Sequence, residues 1–150
     1  MKLAATLAIY TARTEGLADG IRSVAAQDFE EPWELLIIDG AWGERHELVK
    51  ALWGALLQTN DIVHVPPLDP IGRDYYHSWD IPLYQHTAWA WARGEVIVQV
   101  EDFCAFEPHW LRTHVEFVRK HPNLATIGHI ADAATGAPHY QRTLPAKLRE

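Results

Sequence analysis

Gly94-Glu95-Val96-Ile97-Val98-Gln99-Val100-Glu101-Asp102-Phe103-Cys104-Ala105-Phe106-Glu107-Pro108-His109-Trp110-Leu111 decides how this chain folds. Residues 96–100 form an apolar run of strand length that ends directly in two adjacent carboxylates. A short loop follows, and a helix is expected over 108–120. Pro108 falls in its first turn, where a missing N–H costs nothing, and Leu111, Val115 and Val118 give it an inner face. Open α/β sheets bind ligands outside the carboxyl ends of their strands, which is where Glu101 and Asp102 fall. Two neighbouring acids repel, so a positive partner is expected beside them, and a hard divalent cation is the obvious candidate.

Upstream, the same grammar repeats. Residues 6–11 read as a short buried strand. A helix begins at Thr14 or Glu15, with Leu17, Ile21, Val24 and Ala25 on one face, and ends at Gln27-Asp28-Phe29. Residues 33–38 form a second strand. Its Leu35-Leu36-Ile37-Ile38 core is apolar on both faces, as in a central strand of a covered parallel sheet. Asp39-Gly40 ends it. A second helix is expected over 44–57, with Leu48, Leu52 and Leu56 at intervals of four, and a third strand over 62–65. Residues 66–79 are irregular, and a loop of that length in a compact domain is often functional. A third helix spans 82–91, with Trp89 and Trp91 on different faces, one in the core and one outward. A fifth strand covers 124–128, and residues 130–150 read as a turn or hairpin with a tail.

Strands alternating with helices predict an α/β fold with a mostly parallel sheet. Right-handed crossovers restrict its order, and 3-2-1-4 is the most economical. Helices then cover both faces, in a Rossmann-like three-layer sandwich. The switch point falls between strands 1 and 4, with Thr11, Asp39 and the Glu101-Asp102 pair around it.

The 150 residues, 48% of them apolar, supply one domain with a real core, read as a single unit over 1–150. With 13 Lys and Arg against 20 Asp and Glu, the formal charge is −7, which argues against a duplex nucleic-acid footprint. A small phosphorylated ligand is still served by backbone N–H groups and a few arginines. Cys104 is the only cysteine, so there is no intrachain disulfide framework. The apolar N-terminus is too short for a secretory core or a membrane span, and a cytoplasmic location is expected.

Three segments resemble family 2 glycosyltransferases of the GT-A fold. The first is Thr6-Leu7-Ala8-Ile9-Tyr10-Thr11-Ala12-Arg13. The second is Ser23-Val24-Ala25-Ala26-Gln27-Asp28-Phe29 with Trp33-Glu34-Leu35-Leu36-Ile37-Ile38-Asp39-Gly40. The third runs from Ala92-Arg93-Gly94-Glu95 to Trp110-Leu111. The resemblance implies a half-domain that binds a nucleoside diphosphate sugar, with a UDP-sugar favoured, and transfers the sugar to an unknown acceptor. Thr11 and Asp39 match the positions that hold base and ribose, Arg13 lies in the same motif, and Arg73 in the long loop is placed to meet a diphosphate. Asp102, assisted by Glu101, matches the ligand of Mg²⁺ or Mn²⁺, and Asp102 thereby joins the catalytic set. Glu107 and Asp132 are candidates for the catalytic base by elimination. The pattern departs at Gly40, where a second acid is common, and at Phe103 and Cys104, where later acids usually stand. The family's Arg-Asn near the third helix is Gln85-His86 here. The half that usually carries base and acceptor site is expected to be absent or minimal.

Plainer accounts stand beside these. Asp102 also suits an N-cap of the last helix or a salt bridge to Arg112, and Asp39 an Asp-Gly turn. Thr11 also suits a strand-end hydroxyl, and Arg73 a surface pair with Asp74. The nine histidines show no metal spacing, and Cys104 has no activating pattern. The competing functions are a non-catalytic nucleotide- or partner-binding module of the same fold, and a nucleotidyltransferase-like enzyme using the same acids. A homo-oligomer is compatible with an outward tryptophan.

Overall fold

The computed structural model describes residues 2–11, 17–54, 61–68, 81–102 and 104–123. In chain order the elements are β1 (Leu3–Thr11), α1 (Leu17–Ala25), β2 (Trp33–Asp39), α2 (Trp42–Gly54), β3 (Asp61–Val65), α3 (Ile81–Trp91), β4 (Gly94–Glu101) and α4 (Trp110–Lys120). The strands form one sheet in the order β3-β2-β1-β4, and every pairing is parallel. The expected α/β order 3-2-1-4 is therefore the observed one. The expected fifth strand, the 130–150 tail, most of the long loop, and Arg13, Arg73 and Asp132 lie outside the described residues.

Alternation along each strand sorts the core into two layers. Leu7 and Ile9 of β1, Leu35 and Ile37 of β2 and Val96, Val98 and Val100 of β4 share one face. They are buried against Ile21 and Val24 of α1, Val49 of α2 and Leu111 and Val115 of α4. Ala8, Leu36, Ile38 and Val65 share the other face, under Tyr84 and Ala88 of α3. Helix α3 buries Tyr84, Thr87 and Ala88 at helical spacing, so Trp89 turns outward and is 59% exposed. Trp91, at the helix end, is 46% exposed. Neither tryptophan is in the core, which corrects the expectation that one would be.

Boundaries shift for local reasons. β1 begins at Leu3 because Leu3 and Ala5 already pair with β4. Helix α4 begins at Trp110, since Pro108 is held in a turn by the Asp28 N–H, which donates to its carbonyl at 2.8 Å. Gln27 joins α1 to that turn. Its amide Nε2 donates to the carbonyls of Ser23 and Glu107 at 3.0 and 2.9 Å, and its Oε1 accepts the Leu111 N–H at 2.8 Å. The Ser-x-x-x-Gln pattern is thus a structural tie.

Glu34 explains a second part of the pattern. It is fully buried at the amino end of β2. Its Oε1 accepts from the Thr6 hydroxyl at 2.6 Å and from the Arg93 N–H at 2.7 Å, and its Oε2 accepts from Arg93 Nε at 2.6 Å. The Gly94 N–H donates to Thr6 Oγ1 at 2.8 Å. A side chain at Gly94 would place Cβ 2.2 Å from the carbonyl carbon of Ala5, so only glycine lets β4 approach β1 here. Among the described residues, no helix is long and apolar enough to cross a membrane.

Candidate functional site

The face that carries Leu7, Ile9, Leu35, Ile37, Val98 and Val100 changes character at the carboxyl ends of the strands. One period further along, β1 presents Thr11, β2 presents Asp39 and β4 leads to Asp102. On β3, His64 shares the face of Ile62, which packs on the same core layer. Thr11 pairs with Asp39, and the Asp102 N–H donates to the Tyr10 carbonyl at 3.1 Å, so β4 stays in register past Glu101. A polar layer thereby closes the apolar one.

These side chains are joined. Asp39 is fully buried, and its carboxylate accepts four hydrogen bonds. Arg45 donates from Nε to Oδ2 at 2.7 Å and from Nη2 to Oδ1 at 2.8 Å, the fork geometry of a bidentate pair. The Ala41 N–H donates to Oδ1 at 2.8 Å, an Asx turn that starts the path into α2. His64 Nε2 lies 2.9 Å from Oδ2 and carries the hydrogen when Asp39 is ionised. Arg45 Nη2 also donates to Thr11 Oγ1 at 3.0 Å, and Thr11 donates onward to Asp102 Oδ2 at 2.8 Å. The line His64–Asp39–Arg45–Thr11–Asp102 therefore crosses the carboxyl edge of all four strands.

Burial alone would raise the Asp39 carboxyl. The bonds from His64, Arg45 and the Ala41 N–H, with the Arg45 charge, outweigh it and hold Asp39 below the ordinary carboxylate range. With four donors on its two oxygens, Asp39 acts through the groups it holds. The Asp-Gly turn and the buried anchor are one structure.

Trp42 opens α2 beside this line. Its Nε1 donates to the His64 carbonyl at 3.0 Å, and its ring stacks on His46 at 4.5 Å. Next to Thr11, the Tyr10 hydroxyl is buried without a hydrogen-bond partner among the described residues, and burial pushes its pKa well up.

The two acids of β4 part company. Asp102 is 5% exposed and turned to Thr11, while Glu101 is exposed. Arg112 bonds to Asp28 at 2.9 Å, and the residue at the N-cap position of α4 is His109. Neither of the plainer accounts of Asp102 applies. Cys104 is half-buried; burial, seconded by the Glu101 and Asp102 charges, pushes its thiol up against the lowering effect of a backbone bond at Glu101. Glu107 is exposed in the turn that Gln27 secures. Among the described residues, no three His, Cys, Asp or Glu side chains converge as a metal site. Among the described residues, the two acids expected to hold Mg²⁺ or Mn²⁺ stand apart: Asp102 is engaged by the Thr11 hydroxyl and Glu101 is exposed.

Arg45 and His64 were not foreseen from the sequence. The one available signal was Asp39 itself: a carboxylate ending an all-apolar strand must be paired if buried.

The architecture is that of a GT-A, Rossmann-like sheet with its polar edge at the switch point. No protein-family model matches the chain, and no curated protein matches it. Solved structures do. S. aureus TarS 1-349 in complex with UDP superposes with a TM-score of 0.65 at 15% identity, over 91% of this chain and 38% of that one. Its complex with UDP-GlcNAc gives 0.61 at 16% identity, over 91% of this chain and 37% of that one. TarS 1-349 itself gives 0.59 at 11%, over 90% and 43%. Identity this low establishes the fold alone. The chain spans less than half the length of these structures.

Proposed function

We propose that this chain is the nucleotide-sugar-binding part of a glycosyltransferase, with a UDP-sugar as the favoured donor. The observation that carries the reading is the buried polar line at the carboxyl edge, where the order of the described strands reverses around β1. Fold neighbours that hold UDP and UDP-GlcNAc support a uracil nucleotide.

In this reading Asp39, fixed by Arg45 and His64, and Thr11 form the floor under base and ribose. Arg13 and Arg73 approach the diphosphate, and Glu101 and Asp102 flank it at β4. The acceptor oxygen attacks the anomeric carbon as the bond to the diphosphate oxygen breaks. The departing nucleoside diphosphate takes the electron pair, and the acceptor's proton passes to a carboxylate, Glu107 or Asp132. Glu107 has an exposed side chain on a secured turn, which suits a group that meets an acceptor from solvent.

Calorimetric titration with UDP and GDP tests binding, and release of free sugar from UDP-sugars tests turnover. Saturable UDP binding with slow hydrolysis is expected. A second reading, a module that binds without turnover, is favoured by Phe103 and by Cys104, whose thiol burial keeps protonated, at positions where acids usually stand. It predicts UDP binding with no hydrolysis and no transfer.

A further inference from the structure

Any nucleoside diphosphate brings negative charge to an edge that already holds the carboxylates of Asp39, Glu101 and Asp102, so a cation must be supplied. The chain carries one inside the fold. Arg45 is 10% exposed on its side chain, closes a bidentate pair with Asp39, and reaches Asp102 through a single hydroxyl, over bonds of 3.0 and 2.8 Å. Two such bonds in line keep its guanidinium within reach of both carboxylates. A guanidinium stays charged at every working pH and its fork fixes two oxygens in one plane. A divalent ion, by contrast, finds Asp102 turned inward and engaged by Thr11, while Glu101 beside it is exposed.

Resting on the nucleotide reading above, we infer that this site binds its nucleoside diphosphate without a divalent cation, with Arg45 serving as a built-in counter-charge for the Asp39 and Asp102 carboxylates. Arg45 is then a positioning residue: it sets Thr11 and Asp39 and offsets charge, and the ligand meets what it holds.

The test uses the whole chain and two separate titrations. UDP is titrated calorimetrically in chelator and in Mn²⁺. Mn²⁺ alone is followed by the loss of its free-ion paramagnetic resonance signal, with Asp102→Asn in parallel. Affinity for UDP that agrees within about twofold in the two buffers, with no saturable Mn²⁺ uptake, is the expected result. A tenfold or greater loss of UDP affinity in chelator, about 1.4 kcal/mol or more, overturns the inference. So does saturable Mn²⁺ uptake that Asp102→Asn abolishes. If UDP binds in neither buffer, the nucleotide reading fails, and the Mn²⁺ titration still decides the cation question. Arg45→Gln, checked for folding by its melting transition, is expected to bind UDP at least tenfold more weakly, with Arg45→Lys recovering part of the loss. A folded Arg45→Gln with wild-type affinity overturns the role given to Arg45.

Discussion

Replacing Asp39 by Asn probes the line at its most buried point. The substitution keeps shape and removes charge. It sets an amide where Arg45 Nε and His64 Nε2 now converge on Oδ2, and it leaves a guanidinium that is only 10% exposed without its counter-charge. Breaking a buried pair by removing one partner costs about 3–5 kcal/mol. With a urea dependence of about 1–3 kcal/mol per molar for a small domain, the midpoint falls by at least about 1 M. Arg45→Met is expected to cost a similar amount, because Asp39 is then left buried with fewer donors. The double variant removes both charges, so its loss is expected to fall short of the sum by about 0.5–3 kcal/mol. pH supplies an independent arm. Asp39 has a depressed folded pKa, so its contribution is fully present above the unfolded value of about 3.9 and is lost as pH falls through the lower folded value. The gap between wild type and Asp39→Asn therefore stays level at neutral pH and narrows only in strong acid. A loss below about 1 kcal/mol on Asp39→Asn, additive single variants, or a gap that narrows near neutral pH would each refute the reasoning.

Other perturbations probe separate parts of the fold and edge. Gly94→Ala drives a methyl into the Ala5–Thr6 backbone and is expected to destabilise by about 3 kcal/mol or more, read from urea midpoints. Gln27→Leu removes the tie between α1 and the Glu107 turn. A cost of about 1–3 kcal/mol is expected, with faster amide exchange at Leu111, whose N–H loses its acceptor. Cys104 is expected to react slowly with iodoacetamide at neutral pH and to accelerate only above the range of an ordinary thiol; fast labelling at neutral pH contradicts its burial.

The fold was legible because its signals are periodic. The apolar runs at 33–38 and 96–100 and the helical stripes at Ile21, Val24, Leu111 and Val115 follow from chain geometry alone, and the strand order follows from handedness. The ends were less legible. Pro108 looked like a helix start, yet a backbone bond from Asp28, far away in sequence, holds it in a turn. Thr11, Asp39 and Asp102 were visible because they end strands. Arg45 and His64 were not, since they join the site through contacts across elements that no one-dimensional spacing encodes. Glu34 and Gln27 stood inside a recognisable pattern, and only the structure shows that both hold the framework together.

The most direct measurement of the central claim is an amide chemical-shift map of the ¹⁵N-labelled chain titrated with UDP. The account predicts saturable shifts clustered at Thr11, Gly40, Ala41, Asp102 and Cys104, with none at Thr6, Arg93 and Gly94 on the opposite edge. Shifts confined to the amino edge, or no shifts at saturating UDP, would contradict a nucleotide site at the carboxyl edge of the sheet.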